Sequence, residues 1–465
     1  MSSSETAPGR GTAVVIGGGL AGVVAAWALR GSAERIVVVE RDRYPDEPTF
    51  RAGVPQGRHA HLVLEAGHRA LEEMMPGIKQ ELSAAGAHRI AVSGDLKWLS
   101  SAGWMADYPA RLSFLSCTRP VLDKLILDRV RTEPSIEFLE GTDVVGLLGS
   151  ARTVTGVRVR ERGSERDPER GSERGSEHNE EQSSGRGEVR DIPAELVVDA
   201  SGRSTSVPKW LAELGCRPVP EERVDAGVAY SSRLFHRPPG VDLGYQAIYL
   251  QTKAPDKPRM GVLLPVEGDR WIVSLAGMRG AEPEPGEEGF TKHLAQLRDP
   301  GLRDALRDAE PAGGVRGFLP GPGVRRHYER GGPEGLVVVG DAASTFNPVY
   351  GQGVTVSLFC AQALRRTALR YGGIGHATAR DAQREIAAVS KNAWMMSCAE
   401  DVRFAATTGG PSGALIRIQH RFLDRVLAGA TRDPEVTAAF HEVLSLVAPP
   451  SLFFRPSVLA AVLRS

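Results

Sequence analysis

The stretch VVIGGGLAGV, residues 14–23, and its distant counterpart VVVGDAASTFNPVYGQGVT, residues 337–355, decide how this chain folds. Each is a short apolar run that breaks into glycine and then resumes a helical pattern, the layout of a strand–turn–helix junction. In the first, Gly17, Gly19 and Gly22 keep the G-x-G-x-x-G spacing. Gly17 permits the sharp turn, Gly19 lets the backbone approach a phosphate, and Gly22 lets the helix lie close to its strand. The helix begins at Leu20 and Ala21, which puts its free N–H groups and positive dipole end at an anion. A second apolar run, 36–39, ends in Glu40, 18 residues beyond Gly22. A carboxylate there accepts hydrogen bonds from the ribose of an adenosine and repels a 2′-phosphate. The later junction places Asp341 straight after its strand and leads into a helix through Pro348, Gly351, Gln352 and Gly353. One chain with both junctions argues for a single long dinucleotide held at two corners.

The 465 residues are enough for two or three domains with substantial cores. Lys+Arg and Asp+Glu each total 57, so no net field draws nucleic acid or an anionic membrane. The four cysteines, Cys117, Cys216, Cys360 and Cys398, are scattered and suit neither a disulfide framework nor a zinc site. His59, His61 and His68 lack a matching acid or cysteine set, so no metal is expected. No run of apolar residues is long enough to span a bilayer. No segment has the pattern of an export leader, and the cytoplasm is the expected compartment.

Apolar patterning predicts a discontinuous nucleotide-binding domain from 11–70, 111–205 and 335–380. Residues 71–110 and 206–334 are assigned to a substrate domain, and 381–465 to a helical C-terminal region. Within 225–330 the apolar residues alternate with period two, the mark of an antiparallel sheet. The fold class is α/β, Rossmann-like, with an inserted antiparallel sheet. The polar Glu-Arg-Gly-Ser repeat of 161–190 has no face to bury, so a disordered insert at a hairpin tip is expected there.

Together these segments resemble the FAD-dependent monooxygenases of the p-hydroxybenzoate hydroxylase fold, with a GR2-type nucleotide domain. Within that group the chain is most similar to the squalene-epoxidase-like branch that epoxidises polyketide polyenes in polyether pathways. The resemblance rests on GVPQGRHAH (53–61), GAHRI (86–90), LVVDASGR (196–203), RWIVSLAGMRG (270–280) and GDAASTFNPVYGQG (340–353). It implies that Glu40 and Arg41 hold the adenosine ribose, that Val144 lies beside adenine, and that Arg119 reaches the ribityl–phosphate region. It also implies that Asp341 meets a ribityl hydroxyl and that the Gly351–Gly353 turn faces the flavin pyrimidine. The 51–62 loop, with Arg58, His59 and His61, is expected to cover the flavin.

The activity this resemblance implies is epoxidation of alkenes in a large apolar polyketide or terpenoid intermediate, in antibiotic or other secondary metabolism, through a flavin C4a-hydroperoxide. O2 is the co-substrate. NAD(P)H is the ultimate reductant. Hydroxylases that take hydride directly from NADPH have Asp-Gly where this chain has Ser201-Gly202, which points to a separate flavin reductase as donor. Aromatic hydroxylation and geranylgeranyl-reductase-like reduction are alternatives. A flavin halogenase would carry a W-x-W-x-I-P motif, which the chain lacks. Tyr230, Arg233, Tyr245 and Trp271 are the substrate-pocket candidates, with Tyr230 and Arg233 on opposite faces of their strand. No side chain is assigned as catalytic, because the cofactor carries the chemistry.

Overall fold

Five short apolar runs form a parallel sheet in the order Leu336–Val338, Leu196–Asp199, Thr12–Ile16, Arg35–Val39, Ile136–Leu139 in the computed structural model, which describes residues 11–162 and 187–464. These strands are nearly continuous in apolar residues because both faces are covered. Ala13, Val15, Ile36, Val38, Leu196 and Val198 point to one face, into a core shared with helices Leu20–Leu29, Arg119–Arg131 and Gly353–Tyr371. Val14, Ile16, Val37, Val39 and Val197 point to the other, onto the sheet Thr142–Gly149, Val154–Glu161, Val189–Pro193 and the helix Val207–Glu213. The helix Leu20–Leu29 is apolar on nearly every side and is buried accordingly.

Helices Glu65–Met74 and Ile78–Ala84 supply Ala70, Leu71, Met74, Ile78 and Leu82 to the first of these cores. Residues 71–84 therefore pack with the nucleotide domain, where the sequence reading placed them in the substrate domain. Their apolar positions recur at helical spacing, and they meet the helix layer of that core. The polar repeat expected at a hairpin tip lies, for residues 163–186, outside the described residues. Its flanking strands Val154–Glu161 and Val189–Pro193 pair antiparallel.

The second sheet has six strands in the order Arg316–Phe318, Ala229–His236, Arg270–Gly277, Arg259–Val266, Ala247–Leu250, Leu96–Leu99. Alternation sorts its side chains strictly. Arg233, Phe235, Ile248, Leu263, Trp271, Val273 and Leu275 face away from the nucleotide domain, most of them in a core with Phe290 and Leu302. Tyr230, Ser232, Tyr249, Val262, Leu264 and Ser274 occupy the other face.

The helices His376–Asp401, Ala414–Ala430, Pro434–Leu444 and Pro456–Arg464 complete the chain, and the last three share a core with Val426, Phe440, Val443 and Val462. The Gln383 amide on the first of them pairs with the edge of the parallel sheet. It accepts from Val338 N at 2.7 Å and donates to the Val338 carbonyl at 3.4 Å.

Two glycines of the first junction make opposite predictions. A Cβ on Gly22 would strike the Gly17 carbonyl, whereas a Cβ on Gly19 would meet nothing within 4 Å. Gly22→Ala should lower stability by roughly 1–3 kcal/mol, the range for a forced overlap. Gly19→Ala, at φ −72°, should cost under about 1 kcal/mol. Denaturant midpoints of the two variants distinguish them.

Candidate active site

Four strand ends line up along one edge of the parallel sheet. Asp341, Ser201, Gly17 and Glu40 each follow one of four adjacent parallel strands. Three strand spacings, about 14 Å, separate the outer two, and in open α/β sheets the crevice outside these carboxyl ends is where ligands bind. The two glycine corners touch directly, since a Cβ on Gly340 would sit 2.9 Å from the Ala21 Cβ.

At the first corner Gly17 turns the chain at φ +91°. Gly18 N donates to Glu40 Oε2 at 2.6 Å and Asp42 N donates to Oε1 at 2.8 Å, which holds the Glu40 carboxylate against the turn. Tyr44 Oη and Arg51 Nη2 both donate to the Gly18 carbonyl, at 2.8 and 3.2 Å, and the Arg51 guanidinium lies 4.6 Å from the centre of the Tyr44 ring. These residues, with Leu20 and Arg119, line a hollow over the glycine turn. Buried Arg119 donates from Nε to Asp123 at 2.6 Å. Arg58 stacks on Phe50 at 4.7 Å. Val144 lies on the strand Thr142–Gly149 opposite Val159, against the core that contains Ile16 and Val39. Arg41 is exposed and its one ion pair is with Asp42, so it does not line the hollow. The strand has already ended at Val39, and the bend that follows turns Arg41 to solvent.

At the second corner Gly340 and Gly351 take φ +57° and +67°, and Gln352 occupies the position just before the helix Gly353–Tyr371 without a capping side-chain bond. Burial pushes the Asp341 carboxyl up, and the Arg203 and Arg119 guanidiniums pull against that. The Asp341 carboxylate lies about 4.0 Å from where a Gly353 Cβ would sit. Three features fit FAD. The Gly19 face is open, Arg51 Nη1 is buried with no hydrogen-bond partner, and the buried Gln352 amide has a partner for neither Nε2 nor Oε1. An amide donor–acceptor pair at a helix start matches the donor–acceptor edge of a flavin pyrimidine.

Next to the Pro348–Gln352 turn lies a cavity of about 390 Å³, within the range of small-molecule sites. Its sheet wall is Tyr230, Tyr249, Met260, Val262, Leu264 and Ser274, and its helical wall includes Met395, Met396, Phe422, Phe440 and Phe453. Charge is absent or paired in this lining. Glu65 and Glu400 each accept from an arginine, Arg69 and Arg403, at 2.9 Å. His441 bonds Tyr108 Oη through Nδ1 at 3.1 Å, and burial depresses its pKa to about 3.

The 51–62 loop is docked on the second sheet. His59 Nδ1 and Ser232 Oγ are 2.7 Å apart, Ser232 and Ser274 hydroxyls 2.6 Å apart, and Ala60 N donates to Ser274 Oγ at 2.9 Å. Of the substrate-pocket candidates, Tyr230 lines the cavity and the other three do not. Arg233 donates to the Gly313 carbonyl and to Glu287 at 2.8 and 2.9 Å. Trp271 is buried in the core on the far face, and Tyr245 packs against that same core. The strand pleat sends odd-numbered residues of Arg270–Gly277 to that face, which a sequence without a strand register does not reveal. The sequence reading also missed Tyr44, Arg203, Asn347 and the whole helical wall. No local motif marks that wall, because its residues are ordinary core apolars on helices distant in sequence.

No family model matches the chain. The chain is 30% identical over 458 residues to Protein Rv3254 of Mycobacterium tuberculosis, covering 96% of this chain and 91% of that protein. It is 25% identical to the 6-methylpretetramide 4-monooxygenase of Streptomyces rimosus, over 74% of this chain and 72% of that enzyme. It is 22% identical to the squalene monooxygenase of Mus musculus, over 74% of this chain and 52% of that enzyme. Among solved structures, a flavin-dependent brominase matches with a TM-score of 0.63 at 13% identity, over 93% of this chain and 92% of that one.

Burial of His59 lowers its pKa to about 4. Below about pH 6.5 the unfolded ring takes up a proton that the folded ring refuses until about pH 4, so stability falls as pH drops across that window. The slope from one such histidine is about 1.4 kcal/mol per pH unit. His59→Gln should flatten the fall in urea midpoint between pH 6.5 and 4 while leaving the values above pH 7 nearly parallel.

Proposed function

The chain belongs to the family of Protein Rv3254 and has the FAD-dependent monooxygenase and halogenase fold of the p-hydroxybenzoate hydroxylase type, and on that premise we propose that it is an FAD-dependent monooxygenase that epoxidises an alkene in a large apolar substrate. The observation that carries this reading is the largely apolar cavity, its two carboxylates paired with arginines, that abuts the Tyr350–Gln352 turn. When bound and reduced, FAD supplies an oxygen atom activated from O2, while the protein binds, orients and excludes water.

This chain's residues divide those tasks. Glu40, Arg51, Arg119 and the Gly17–Gly22 turn hold the adenosine and phosphates. Asp341 and the Gln352 amide hold the ribityl and pyrimidine parts. N–H groups fixed at the start of Gly353–Tyr371 stabilise negative charge on the ring without reorganising. Val262, Leu264, Phe422 and Phe440 desolvate the substrate and set which double bond faces the turn. An epoxidation needs no side-chain nucleophile. NAD(P)H, directly or through a separate reductase, is the electron source in this proposal. The squalene monooxygenase relative, whose name denotes oxygenation of a polyene, supports the substrate class.

The test is oxygenation of a polyene hydrocarbon such as farnesene or squalene by the FAD-loaded protein with a flavin reductase, NADPH and isotopically heavy dioxygen. One labelled oxygen atom in an epoxide product is expected. Reduced double bonds with no label would replace this reading with a reductase. Val262→Trp, which intrudes into the cavity, should lower kcat/KM about tenfold or more and leave FAD content unchanged.

A further inference from the structure

A buried carboxylate at the end of the helix His376–Asp401 grips the Asn347–Gly351 turn from behind. Asp401 is 3% exposed. Its Oδ1 accepts from Asn347 Nδ2 at 2.7 Å and from Tyr350 Oη at 3.0 Å. Asn347 in turn accepts from Val349 N through Oδ1 at 3.1 Å, so its amide bridges the carboxylate to the turn backbone. Both ends of the 347–350 segment are thus tied to one oxygen atom, and the next residues are Gly351 and Gln352, whose side-chain amide has no partner. Asp401 is itself held, since its carbonyl accepts from Thr407 Oγ1 at 2.6 Å and from Phe404 N at 3.2 Å.

The Tyr350 end of this network borders the cavity, while Asn347 and Asp401 lie behind its wall. Tyr350 lines it, as do Ser397, Ala399 and Glu400 from the helix His376–Asp401. Among the described residues no cation pairs with Asp401, and its acidic neighbours are Glu400 and Asp225. A surface-type ion pair is therefore not the reason for a carboxylate here. Two donors from the turn converge on it, and removing the acceptor would leave the Tyr350 hydroxyl without this partner and Asn347 Nδ2 with only the Met278 sulfur at 3.9 Å.

We propose that Asp401 is a positioning residue that fixes the Asn347–Gly351 turn for the flavin and couples that turn to occupancy of the cavity. This rests on the FAD-binding reading above and adds a residue from the C-terminal helices to it. An apolar ligand that presses on Tyr350 moves a hydroxyl bonded to Asp401, and the shared oxygen passes the displacement to Asn347 and the turn backbone.

The experiment compares wild type, Asp401→Ala, Asp401→Asn and Tyr350→Phe as full chains. FAD dissociation constants are measured by flavin fluorescence. Farnesene binding is measured by quenching of tryptophan fluorescence, Trp98 being in the cavity wall, and by the change it causes in the flavin absorbance spectrum. Asp401→Ala should weaken FAD binding roughly tenfold, keep farnesene binding and lose the farnesene-induced spectral change. Asp401→Asn, whose carbonyl still accepts both bonds, should stay within about threefold of wild type and retain the spectral change. Tyr350→Phe should hold FAD but lose the spectral change. Wild-type FAD affinity with an intact spectral change in Asp401→Ala overturns the proposal, and so does equal loss in Asp401→Asn. A wild-type chain that binds no FAD at all overturns the functional reading together with it, a result told apart by its independence of position 401.

Discussion

Close approach of backbone to backbone at the first glycine corner is the constraint on which the remaining structure depends. Gly22 lies so near the Gly17 carbonyl that no side chain fits between them, and this proximity puts the helix Leu20–Leu29 flat against its strand. From there the helix reaches the second corner, where Gly340 rests on Ala21. Two loops separated by most of the chain are in this way held at a fixed distance by hard-sphere contact. Parallel pairing of the strands then spaces Glu40 and Asp341 along one edge. A soft, side-chain-mediated join at this place would leave the groove between them variable in length.

Most of the nucleotide half was legible in sequence because its signals are local. A run such as 14–22 contains its strand, its turn glycines and its helix start within a few residues, and Gly353–Tyr371 opens and closes on glycine as sequence rules suggest. The substrate half was legible as a sheet but not as a pocket. Period two shows that Tyr230 and Arg233 oppose each other, yet which of them meets the cavity depends on which face the nucleotide domain covers. That is a tertiary fact. Residues 71–84 were misassigned for a related reason: an amphipathic helix announces that it has an apolar face but not what that face will meet.

The cavity combines a rigid wall with an adaptable one. Hydrogen-bonded strands and the docked 51–62 loop form the first, anchored through His59, Ser232 and Ser274. Methionine and phenylalanine from helices of the C-terminal region form the second, and thioether side chains repack at little cost. Substitutions there would alter the shape of the cavity without disturbing the two glycine corners.

The Gln383 amide on the edge strand has a consequence unrelated to catalysis. An unpaired strand edge is a template on which another chain can add by β-augmentation, a route to fibrils and non-native assemblies. At Val338 both the donor and the acceptor that such a chain would need are already taken by a side chain of the same molecule. Self-capping of this kind confers colloidal protection while the protein is folded, and it depends on a helix contributed some forty-five residues later in the chain.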